Sequence, residues 1–217
     1  MFTTPPFRRA PWLLFRRPVL LVAIVGERNV SMMDVRSVAD WTVRRRLLAV
    51  PGVSQVIPIG GEVKQYQVLV SPDWLQAYGV SLQDVMRAAE GSNANASGGV
   101  FIDRSQEYLI RGIGRVQSVQ DIARTVVAAR DGVPVLIGDV ADVRIGAGTK
   151  LGDASLSARP AVILSVQKQP DTNTLELTER IDQTLAEIER TLPAGIEIHG
   201  GVFRQADFIE AAVDNVM

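Results

Sequence analysis

Apolar positions along the chain recur with two periods, and the segments carrying them appear twice in the same order. Val19–Val25 is a short apolar run rich in β-branched residues and bounded by Gly26, which predicts a strand. Ser31 offers an oxygen to the free N–H groups of a helix start, with Asp34 in the first turn. Val35, Val38, Ala39 and Thr42 continue one face of that helix, and Leu47 and Leu48 close it. Pro51-Gly52 stops it, and Val53–Ile59 is the next strand, followed by Gly60-Gly61. The second copy opens with the strand Ala161–Gln167. Asn173, with Glu176 three residues later, has the spacing of a capping box. Leu175, Ile181, Leu185, Ile188 and Leu192 then hold a helical period, Pro193-Ala-Gly195 ends the helix, and Ile196–His199 is a closing strand before Gly200-Gly201. From strand start to strand start is 34 residues in the first copy and 35 in the second.

Two βαβ units of matching length predict one four-stranded sheet with both helices, Met32–Ala49 and Thr174–Leu192, on the same face. The fold class is α+β: a split βαβ, ferredoxin-like body interrupted by an inserted small α+β subdomain. The insertion has its own pattern. Lys64–Val70 alternates as a strand, and Pro72 opens a helical stretch ended by Gly79. Ser81 with Asp84, and Ser118 with Asp121, cap two further helices. The polar, small-residue stretch Ser92–Gly99 is expected as a loop. Val100–Gly112 is expected as two strands around a turn at Asp103–Gln106. Asp131-Gly132 is a turn before the strand Val133–Ile137. The chain divides accordingly into a leader (1–18), a first βαβ half (19–61), the insertion (62–150), a second half (151–203) and the start of a helix (204–217).

Composition narrows the chemistry. The chain has 217 residues, 47% of them hydrophobic, with a formal charge of −1, so it carries no field for steering nucleic acid. It has no cysteine, which removes disulfides, thiolate metal sites and a cysteine nucleophile. No stretch reaches the ~18–20 apolar residues a membrane span needs. Arg16-Arg17 cuts the apolar part of the N-terminal segment, so no clear signal peptide is expected.

Candidate catalytic groups are few, and neither an enzyme nor a cofactor is expected. His199 is the single histidine and sits alone on a strand, and no carboxylate–histidine spacing marks a zinc site. Met32 and Met33 are adjacent, so their side chains point about 100° apart on a helix and cannot easily share a soft ion, and Met86 is alone. Gly112-Ile-Gly114 lacks the third glycine of a dinucleotide fingerprint. Arg44-Arg45-Arg46 suits a helix C-terminus and is expected as a solvated face.

Several blocks together resemble one family. The stretch from Ser31 to Val68, with Tyr78–Val85, Tyr108–Arg115, Pro134–Gly146, Asn173–Asp182 and Phe203–Ile209, is similar in residues and order to the resistance-nodulation-division efflux pumps, specifically the heavy-metal exporters of the CusA/CzcA type. The resemblance covers about Ser31 to Met217. It implies the second porter subdomain, with a docking subdomain inserted between its halves. It also implies a homotrimer in the parent pump, a periplasmic adaptor protein and an outer-membrane channel as partners, and a place in the periplasm on an inner-membrane protein. A subunit-contact loop is implied at about Asn93–Glu107, with Asn93, Asn95, Gly98, Gly99 and Phe101 as its contact residues. The end of the chain, Asp207–Met217, matches a helix leading to a membrane span. The chain then reads as a fragment of a proton-driven heavy-metal exporter that cannot pump alone. A free-standing soluble binding module is the alternative; an enzyme on a ferredoxin-like scaffold is a third reading, disfavoured by the missing polar constellation.

Overall fold

The computed structural model describes residues 18–93, 96–103, 106–112, 116–130, 132–150 and 152–215. They form two compact units, one of residues up to Lys64 and from Ala147 onward, the other of Gln65–Gly146.

The first unit is built on β1 (Leu20–Gly26), β2 (Val53–Ile59), β10 (Arg159–Lys168) and β11 (Ile196–Arg204), in the order β11-β1-β10-β2. The four predicted strands share one sheet. Every pairing along it is antiparallel, with Val22 opposite Leu164 and Val56 opposite Val166. A two-residue strand β9 (Ser155–Leu156) folds back on β10. Leu20, Val22 and Ile24 alternate onto one face with Val162, Leu164 and Val166, and there they meet buried residues of both helical segments, Val35, Ala39, Val43 and Leu47 from the first and Leu177, Ile181, Leu185 and Ile188 from the second. Both helices therefore lie on one face, as the repeat predicts. Ala23, Val25, Ala161 and Ser165 on the opposite face of the central strands are also buried, which is why these strands read as unbroken apolar runs. Towards the β2 edge that face opens, leaving Ile57 and Ile59 exposed.

The first helix runs through α1 (Met32–Val38), a π turn (Ala39–Val43) and α2 (Arg44–Leu48). Its buried stripe differs from the expected one: Val43 is buried, Thr42 is half-buried, and Leu48 is exposed. The reason is geometric. Val35, Ala39, Val43 and Leu47 are spaced by four residues, and on a regular α-helix such a stripe drifts about 40° per step. A π turn holds more residues per turn and removes part of that drift.

The second helix, α7 (Thr174–Glu189), ends three residues before the expected Leu192. Asn173 caps it by accepting the Leu175 N–H at 3.0 Å, whereas Glu176 pairs with Arg180 instead of closing a capping box. The two glycine pairs also part company. Gly60 and Gly61 are left-handed, and a Cβ at Gly60 would lie 2.8 Å from the Ala161 carbonyl oxygen. Gly200 and Gly201 instead lie inside β11, which runs on to Arg204 rather than stopping at His199. Opposite β1 the register jumps from Ala23–His199 to Leu21–Phe203, so the glycines absorb an irregularity in the ladder. The chain then enters α8 (Gln205–Asp214), where Phe208 is 66% exposed.

The second unit contains β3 (Lys64–Val70) paired with β8 (Ala141–Ala147), helices α3 (Pro72–Tyr78) and α4 (Leu82–Gly91), the hairpin β4 (Ala96–Asp103) and β5 (Gln106–Gly112), α5 (Val119–Ala123), the hairpin β6 (Val126–Arg130) and β7 (Val133–Leu136), and α6 (Ile137–Val140). Gly79 ends α3 in the left-handed conformation, and Ser81–Asp84 and Ser118–Asp121 form reciprocal capping boxes. Its cores are small: Val80, Val85, Val135 and Val140 make one cluster, and Ile122, Ile137 and Ala141 another. The stretch Ser92–Gly99 is not a loop throughout, because strand β4 begins at Ala96. Small residues do not prevent pairing when a partner strand supplies the ladder.

Candidate functional site

The site implied by the sequence falls on the β4–β5 hairpin. Asn93 precedes it, is exposed, and accepts the Val116 N–H through its side-chain oxygen at 3.3 Å. Asn95 lies outside the described residues. Gly98 and Gly99 sit where the register shifts from Ser97–Arg111 to Val100–Leu109, so β4 carries an extra residue there. Phe101 stands opposite Tyr108. The segment is thus a strand pair with a bulge, which bends the strand and increases its local twist.

Two clefts adjoin each other on the sheet body. One, of about 800 Å³, lies between the turn Gly26–Val30 and the β9–β10 turn. The other, of about 380 Å³, is lined by Gly61, Glu62, Lys150 and Asp153, and both share Met32, Ala158 and Pro160. Lys150 donates to Asp153 at 2.9 Å, and this bond raises its pKa. Met32 packs against the core, Met33 is half-buried, and Met86, on the other unit, is 52% exposed. His199 lies beside a third cleft with its Nε2 3.5 Å from Glu197, whose other partner is Arg159 at 3.2 Å. Among the described residues no three His, Cys, Asp or Glu side chains converge on a metal position, and no helix is long and apolar enough to cross a membrane.

A further groove escaped sequence reading. It has a volume of about 520 Å³ and runs along the β2 edge, beside the π turn. Arg36 reaches Asp40 at 2.8 Å and also donates to the Gly60 carbonyl. Arg44 Nε donates to the Val56 carbonyl at 2.9 Å. Arg45 lies 4.3 Å over the Trp41 ring. The signal was present as Trp41 followed by three arginines, but only the π turn and the strand edge make a groove of it.

The family model described as AcrB/AcrD/AcrF matches residues 15–217. The chain belongs to this family. The AcrB/AcrD/AcrF family is one of efflux transporters, and the relatives this chain matches are metal-resistance and cation-efflux proteins of the resistance-nodulation-division type. The cobalt-zinc-cadmium resistance protein CzcA of Cupriavidus metallidurans is 36% identical over 76% of this chain and 16% of its own length. The nickel and cobalt resistance protein CnrA of the same organism is 38% identical over 80% of this chain, and the cation efflux system protein CusA of Escherichia coli is 34% identical over 86%. A crystal structure of a heavy metal efflux pump superposes with a TM-score of 0.79 over 91% of this chain and 20% of that one, at 21% identity, which shows the shared fold. The chain spans about a sixth of the length of these curated relatives.

Proposed function

We propose that this chain is the second porter subdomain, with its inserted docking subdomain, of a proton-driven heavy-metal cation exporter, placed on the periplasmic side of the inner membrane. The observation that carries this is the family match along residues 15–217, joined to relatives named for metal resistance or cation efflux. In this reading the sheet body moves as a rigid layer, because its central strands are buried on both faces and both helices are locked to it through one core. The β4–β5 hairpin, through Asn93, Asn95, Gly98, Gly99 and Phe101, reaches a neighbouring protomer of a trimer. Adaptor protein and outer-membrane channel complete the assembly. Proton coupling and membrane passage belong to parts of the pump beyond this stretch.

A chimera tests the proposal. The matching stretch of Cupriavidus metallidurans CzcA is replaced by this chain, and cobalt, zinc and cadmium resistance is measured in a strain lacking CzcA. The expected outcome is substantial resistance. A chimera that reaches the membrane in normal amount yet confers none contradicts the reading.

A further inference from the structure

The groove at the β2 edge carries an inference that does not depend on the pump. β2 is an edge strand, and such edges invite pairing with another chain. Here two outward carbonyls, those of Val56 and Gly60, are already occupied by Arg44 and Arg36, and Pro58 between them has no N–H to offer. Backbone addition of a strand is therefore blocked. What remains open is cationic. Arg36, Arg44, Arg45 and Lys64 line the groove against one carboxylate, Asp40, which Arg36 neutralises. Arg45 faces the ring of Trp41 and forms no ion pair among the described residues, and neither does Arg44. Lys64 is only 3.9 Å from the exposed Asp34. The helix dipole accounts for cations at the end of α2, but not for the 64% exposed indole of Trp41 beside them.

We infer that this groove is a docking site for an extended acidic peptide segment of a partner chain. Two features select a peptide over a small anion. The open cations are spread along the groove rather than converging on one point, since Arg44 and Arg45 lie on the helix and Lys64 at the start of β3. An extended chain, whose alternate side chains face one way, can meet more than one of them. Free guanidinium edges bind carboxylates in a forked geometry, and the open part of Trp41 supplies apolar contact for the methylene stems of those same acidic side chains.

The test titrates a fluorescently labelled, N-acetylated heptapeptide of alternating Glu and Val against the full 217-residue chain. The expected result is saturable binding that weakens with added salt and falls roughly tenfold in Arg45→Glu. Trp41→Ala weakens it as well, whereas Arg190→Glu, on the end of another helix, leaves it unchanged. Circular dichroism confirms that each variant is folded, and Arg45→Gln replaces Arg45→Glu if the latter is not. Three results would overturn the inference: equal loss in Arg190→Glu, displacement of the peptide by inorganic phosphate at matching concentration, or absence of saturable binding. Arg45-dependent binding to anionic lipid vesicles without peptide binding would also overturn it, assigning the groove to a membrane surface.

Discussion

Single positions show where the chain accepts strain and where it cannot. The two-residue turn between β9 and β10 is Ser157-Ala158, and both residues are left-handed, with φ of 50° and 63°. Hairpin turns of this kind favour Asn-Gly, because a Cβ in that region costs about 1–2 kcal/mol. Ala158 also lines both clefts of the sheet body, so strain and a candidate surface coincide. Ala158→Gly is expected to raise unfolding stability by roughly 0.5–1 kcal/mol in urea titrations, part of the relief being offset by the freer unfolded chain. A loss of stability would show that the methyl group packs. This turn was illegible in the sequence, since neither Ser157 nor Ala158 is the Asn, Asp or Gly that a left-handed two-residue turn favours, and the signal lies in the short register of β9 on β10. The paired glycines mislead in the opposite sense. They look alike in sequence, yet only Gly60 and Gly61 need a left-handed backbone.

At the level of elements, the central strands were legible as unbroken apolar runs because both their faces are buried, and the second helix because its one buried face repeats with a helical period. The first helix was legible in extent but not in rotation, because its stripe obeys a spacing of four rather than 3.6. That difference is testable. Deleting Trp41 removes the extra residue of the π turn and leaves apolar spacings of four, three and four, which a regular α-helix accommodates. The deletion is expected to cost less stability than deleting Ala186 from α7, which rotates Ile188 off the core by about 100°. Denaturant unfolding of the two deletions compares them, and equal or greater loss for the Trp41 deletion would mean the π turn is required by packing. The start of β4, Ala96–Gly99, was missed for a different reason, while Val100–Asp103 was expected as a strand. Ala96–Gly99 has no apolar pattern, and its pairing comes from β5 rather than from its own residues.

Across the molecule, the two units rest on different forces. The sheet body has one large core, whereas the inserted unit has two small clusters and leans on its helix caps. Asp84 has its pKa lowered first by the Ser81 hydroxyl, and Asp121 first by the Gln117 backbone N–H. Carboxylates with lowered folded-state pKa values contribute stability that is present above the unfolded value, about 3.9, and is lost as pH falls through the folded value. The inserted unit is therefore expected to lose stability below about pH 4, and Asp84→Asn with Asp121→Asn to flatten that dependence. Thermal melts across acidic pH check this; an unchanged slope in the double variant would remove the caps from the explanation.

If the two separated βαβ halves make one self-sufficient sheet body, that body folds without the second unit inserted into it. β3 and β8 pair with each other where the insertion leaves and rejoins the body, and the Gly148 N–H donates to the Val63 carbonyl at 2.7 Å. A short linker can therefore bridge the cut ends. The most direct measurement replaces Gln65–Gly146 with a few Gly and Ser residues and follows unfolding of what remains. The expected result is a folded protein with a single cooperative transition and its central strand amides protected from hydrogen exchange. A chain that stays unfolded, or one that melts without cooperativity, would contradict it.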